Sequence, residues 1–274
     1  MIGAKEFFSE PPKKLEWTVR NLVEQGTFVV LGGEPKTSKT WAVLEMALSV
    51  ASGTDCFNSF EFTTFHERRP VYLFLLEDNF YNVQARLVAL GAAKGLSVDD
   101  LKELPLFIRC RKPLNLLEDS GQIIDTVSAL QIGDEENGLR DGLIIIDPLR
   151  NAHNQDENDS GSMKLVMERC ISIRDRTKCS LIINHHFKKM KKSDEETPGN
   201  AMRGSSTLYG AVDGIIGMRK IECNERNVWE NNVHCQVKAG PQASPFGLTL
   251  RVKDGAESGR SVYADWEVSE TFGR

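Results

Sequence analysis

No stretch of this 274-residue sequence approaches the run of about 18 apolar residues that a membrane-spanning helix requires. The opening segment, MIGAKEFFSEPPKKLEW, has no apolar core of the kind that directs export. A cytoplasmic protein without membrane attachment is therefore expected. Nothing recurs at a period of about 20–50 residues, which speaks against solenoids and propellers. The six cysteines, at 56, 110, 170, 179, 223 and 235, include no C-x-x-C pair and no regular spacing, so reduced, structural thiols are expected. Cys223, His234 and Cys235 could begin a zinc site, but a fourth ligand at suitable spacing is missing. Positive charge is not in excess either: the formal net charge is −5. That total excludes a wholly basic nucleic-acid coat and leaves room for a local basic channel.

What the sequence does contain is an alternation of two kinds of segment. Short apolar runs at 27–33, 70–77, 104–110, 141–148, 179–186 and 212–220 read as strands, and because most are continuous they suit a largely parallel sheet covered on both faces. Segments of helical period follow at 41–52, 79–94, 120–130 and 164–177. The expected fold is α/β, with a mostly parallel central sheet flanked by helices. NVWENNVHCQVKAG, FGLTLRVKDG and SVYADWEVS alternate instead, and predict antiparallel strands extending one end of the sheet. A single domain over 1–274 is expected, with an N-terminal extension (1–26), a core (27–220) and a C-terminal β extension (221–274). The polar segments 151–163 and 188–206 both follow strands and belong at the carboxyl edge of the sheet, where open α/β folds bind ligands.

FVVLGGEPKTSKT (28–40) fits the phosphate-loop spacing G-x-x-x-x-G-K-[ST] at Gly33, Lys39 and Thr40, but Ser38 replaces the second glycine. In such a loop successive backbone N–H groups, here from Gly33, Glu34, Pro35 (which supplies none), Lys36, Thr37, Ser38, Lys39, Thr40 and Trp41, surround phosphate at a helix N-terminus. Lys39 would reach the β- and γ-phosphates of ATP and Thr40 would place its hydroxyl on Mg²⁺. Glycine before the lysine permits positive φ, which serine adopts only at a steric cost. Asp147, at the end of LIIID, suits the metal shell, and Glu77, at the end of VYLFLLE, suits a general base that polarises water. His185 and His186 end SLIINHH, where a polar side chain can sense the γ-phosphate; a locally bonded histidine pair is the plain alternative. Arg203, Arg219 and Lys220 are candidates for a charge-neutralising finger, or ordinary surface charge.

GGEPKTSKTWAVLEMALSVASG, VYLFLLEDNFYNVQARLVALG, LIIIDPLRNAH, LIINHHFKK and MRGSSTLYGAVDGII, in that order, resemble the RecA-like P-loop ATPases of the plasmid RepA type, which are small hexameric replicative helicases. The likeness runs over about 17–247. It implies a RecA-like ring with ATP bound between subunits. Lys39 and Thr40 would be the loop pair, Glu77 the catalytic base, Asp147 the metal-shell acid, His185 or His186 the sensor, and Arg203 or Arg219 a finger acting in trans. Arg86 resembles a position near the nucleotide base. The first functional reading is thus an ATP-driven helicase on single-stranded DNA in replication, with KKMKK (188–192) meeting phosphates in a central channel. The second is a RecA-like regulatory or recombination-accessory ATPase that switches protein partners. A small-molecule phosphotransferase, sharing only the loop, ranks third.

Overall fold

The computed structural model of the chain describes residues 2–11, 14–133, 141–187, 206–238, 241, 243–256 and 259–272. A short helix α1 (Ala4–Phe7) and a two-stranded hairpin, β1 (Trp17–Val19) with β2 (Val23–Glu24), precede the main sheet. The core then runs β3 (Phe28–Gly33), α2 (Lys39–Ser52), β4 (Val71–Leu75), α3 (Phe80–Ala93), α4 (Val98–Lys102), β5 (Leu106–Cys110), α5 (Leu116–Gly133), β6 (Leu143–Asp147), α6 (Ser160–Thr177), β7 (Ser180–His186) and β8 (Gly214–Ile221). Three longer strands follow: β9 (Val228–Val237), β10 (Phe246–Asp254) and β11 (Ser261–Ser269).

All strands after the hairpin join one nine-stranded sheet, in the order β11-β10-β9-β8-β3-β7-β6-β4-β5. From β8 to β5 every pairing is parallel, and from β8 to β11 every pairing is antiparallel. Every residue of β3, β4 and β6 is buried, as continuous apolar runs require when helices cover both faces. Successive side chains of β3 divide between the faces: Val29 and Leu31 join the core packed with α2 and α3, and Phe28 and Val30 join the core packed with α5 and α6.

Two expectations need adjustment. β4 stops at Leu75 rather than reaching Glu77. Leu76 still donates its N–H to the Asp147 carbonyl at 2.8 Å, after which the chain bends toward Asn79, whose side chain caps α3. The β1–β2 hairpin, within the expected N-terminal extension, has no signal in the sequence. Its strands of three and two residues are too short for any periodicity, and Thr18 is held by a 2.7 Å bond to the Ser180 hydroxyl, distant in sequence.

Candidate active site

Because β3 lies between β8 and β7, the loop that leaves it opens at the middle of the carboxyl edge. Two glycines make room for the turn. A Cβ on Gly32 would lie 1.8 Å from the Phe187 ring, and one on Gly33 would lie 2.3 Å from the Met218 carbonyl. Pro35 and Lys36 face solvent, whereas Thr37 is buried and its hydroxyl donates to the Glu34 carbonyl at 2.9 Å. Ser38 has φ 54° and ψ 26°, the left-handed conformation anticipated where glycine is usual. A side chain there costs about 1–2 kcal/mol. Ser38 also occupies the N-cap of α2 without capping it; its hydroxyl instead accepts from Asn231 Nδ2 at 3.3 Å.

Lys39 is buried and turned back on the loop, donating to the carbonyls of Gly33 (3.0 Å) and Glu34 (2.7 Å) and to the Thr37 hydroxyl (3.2 Å). Burial lowers its pKa to about 8, against the opposing pull of Asp147 and Glu34. Across from it, at the end of β6, Asp147 is buried and its Oδ1 accepts from Asn184 Nδ2 at 2.6 Å, while the Thr40 hydroxyl also bonds to its carboxylate. Burial raises Asp147 to about 6; those two bonds pull it down, and the carboxylates of Asp78 and Glu77 push it further up. Its Oδ2 is buried with no hydrogen-bond partner among the described residues. An orphaned carboxylate oxygen beside a threonine hydroxyl is a fitting donor set for a hard divalent cation, which prefers oxygen ligands.

Glu77 is exposed and stands close enough to Asp147 and His186 to act on the charge of both. His185 is lowered to about 4 by burial, with His186, His153 and Lys39 adding to the effect. Burial first, then Lys39, lowers His186 as well. His185 Nδ1 and His153 Nε2 approach the same Glu157 Oε1 at 4.0 and 3.8 Å. Neutral imidazoles therefore flank the site near pH 7.

The remaining candidates are less central. Arg86, on α3, pairs with Asp78 at 2.7 Å and lies over the Trp41 ring at 5.4 Å, which joins α3 to the first turn of α2. Arg219 is exposed on β8, one residue beyond the Met218 that pairs with Gly33, and lowers the pKa of neighbouring His234 after burial does. His234 and Cys235 are consecutive on β9 and so point to opposite faces, Cys235 into the core. Arg203 and the basic run 188–192 lie outside the described residues. Sequence reasoning does not single out Asn184 or Asn231. An amide inside the apolar run SLIIN is a readable clue to the first, since a buried polar group needs a partner.

The family model of the AAA domain matches residues 4–192, more than half of the chain. Among solved structures, the fold is similar to the ATPase domain of a phage helicase, with a TM-score of 0.54 at 15% identity over 87% of this chain and 85% of that one. It is also similar to a DnaB-like replicative helicase studied with its interactions with primase, with a TM-score of 0.59 at 14% identity over 94% of this chain and 66% of that one. The chain thus spans just under two thirds of that helicase. No described helix is long and apolar enough to cross a membrane. A phosphate-loop turn between β3 and α2, an aspartate at the end of β6 and a sheet of this order make the fold RecA-like, and the chain belongs to the AAA domain family.

Proposed function

We propose that the chain binds ATP with Mg²⁺ at the β3–α2 loop, hydrolyses it, and uses the cycle to drive a ring-shaped helicase along single-stranded DNA in replication. The observation that carries the reading is the meeting of Lys39, Thr40, Asp147, Asn184 and Glu77 at one edge of the sheet. Loop N–H groups and the Lys39 ammonium take the β- and γ-phosphates, Lys39 leaving its carbonyl partners to do so. Thr40 and Asp147 hold the metal. When bound, Mg²⁺ neutralises charge on the phosphate oxygens. Glu77 accepts the proton of a water whose oxygen bonds to the γ-phosphorus as the bond to the β-bridging oxygen breaks and ADP leaves. Asn184 bonds to the metal-shell acid, and His185 or His186, at the end of the same strand, would sense phosphate loss. Arg219, or Arg203, completes the site of a neighbouring copy, and Arg86 supports the base side through Trp41.

The helicase part is supported by likeness of fold to the phage helicase ATPase domain and the DnaB-like helicase, and by a motif order that resembles the plasmid RepA type. In this reading the chain is one functional unit of a cytoplasmic hexamer, segments 151–163 and 188–206 line its channel, and replication or recombination proteins are its partners. The test is ATP turnover with and without single-stranded DNA, in the parent protein and in Lys39→Ala and Glu77→Gln. DNA-stimulated turnover that both variants lose is expected. Turnover indifferent to DNA would remove the motor and favour a nucleotide switch acting on protein partners; no turnover at all would remove the enzyme.

A further inference from the structure

We infer that Asn231 is a positioning residue for the phosphate loop, holding the Ser38 hydroxyl away from the helix end that receives phosphate. The inference rests on the nucleotide reading above. A serine at a helix N-cap ordinarily has extended backbone, and its oxygen accepts from the second or third N–H of the helix. For α2 those are the N–H groups of Thr40 and Trp41, which a phosphate would need. Serine in place of glycine therefore introduces a competitor inside the loop. Ser38 nevertheless keeps φ 54° and makes no capping bond.

Among the described residues, the partner of its hydroxyl is Asn231, whose Nδ2 donates to it at 3.3 Å. Asn231 is fully buried on β9, where it pairs with Lys220 of β8 and Leu248 of β10. Its Oδ1 has no partner among the described residues. A buried amide with half its capacity unused is costly unless its one bond matters to the structure around it. That bond crosses 193 residues of sequence to the position where the loop departs from glycine. It favours the left-handed loop over the self-capped one, and so ties the phosphate loop to the antiparallel end of the sheet.

The test is a double-mutant cycle in the full chain, with Asn231→Ala and Asn231→Leu each made beside Ser38 and beside Ser38→Gly. Leucine keeps most of the side-chain volume, which separates loss of the bond from a cavity. One readout is the Kd of a fluorescent ATP analogue with Mg²⁺; the other is the urea midpoint without nucleotide. With Ser38 present, both Asn231 variants are expected to weaken the analogue about five- to tenfold, the size of one hydrogen bond, and to raise KM more than they lower kcat. Beside Ser38→Gly, where no hydroxyl competes, the same changes should alter Kd by less than about twofold. The fall in urea midpoint should likewise be larger with Ser38 than with glycine. Equal losses in both backgrounds would reduce Asn231 to packing within β9 and overturn the inference, as would no loss with Ser38. Failure of the parent to bind the analogue would overturn the nucleotide reading alone; the urea cycle would then decide the Asn231–Ser38 coupling by itself.

Discussion

The two halves of the sheet are built from the same kind of strand and do different work. In the parallel half, β3, β7, β6 and β4 all finish at one edge, so Gly33, His186, Asp147 and the segment carrying Glu77 arrive side by side. In the antiparallel half the strand ends alternate between edges, and β10 and β11 turn their surfaces to the core and to α3, where Arg260 lies over Tyr81 at 5.6 Å and donates to Asn82. Parallel pairing concentrates chemistry because each crossover helix resets the chain to the same starting edge. Antiparallel pairing cannot do so, and contributes a wall.

That contrast can be tested from its strongest point downward. Glu77→Gln should keep nucleotide binding and lose about 10²–10⁴ in kcat, the usual effect of a positioned base; unchanged turnover would take Glu77 out of the mechanism. Lys39→Ala should lose about 10²–10³ in kcat/KM, read by steady-state hydrolysis. Asp147→Asn should separate function from stability. Its carboxyl is raised to about 6 by burial, above its unfolded value, so its contribution to stability is full below that unfolded value and is lost as pH rises through about 6. The asparagine variant should therefore lose turnover while gaining about 1–3 kcal/mol over the parent above pH 6 and little at pH 4, measured by urea unfolding. For the same reason Mg²⁺ affinity of the parent should fall as pH drops below about 6. Gly32→Ala should cost about 1–3 kcal/mol by displacing the Phe187 ring. At the far edge, Arg251→Ala breaks an exposed 2.5 Å pair with Glu267 on β11, and should cost less than about 1 kcal/mol with turnover intact. A turnover loss there would show that the wall is not passive.

The same division governs what can be read in the sequence. FVVLGG, VYLFL, LIIID and SLIIN announce buried parallel strands because both faces are covered, and an apolar run without alternation suits no half-exposed strand. The left-handed backbone at Ser38 is legible because the spacing marks the position where glycine is usual. Glu77 reads as a strand end because apolar residues continue to Leu76, while the strand stops where β6 ceases to offer pairing partners. Asn231 is out of reach. Its place depends on the register of β9 against β8, which no local pattern in NVWENNVHC specifies.

The folded-back Lys39 has a consequence for selectivity. Its three acceptors, two carbonyls and a hydroxyl, already satisfy every N–H of the ammonium. A ligand therefore gains only the difference between its own oxygens and those three. A singly charged anion offers little advantage in that exchange, whereas a chain of phosphates that also engages the Thr40 and Asp147 side offers several oxygens at once. The loop is in this sense a lock with its bolt drawn across, opened by ligands of high charge and extended shape and left shut by the smaller anions that crowd a cell.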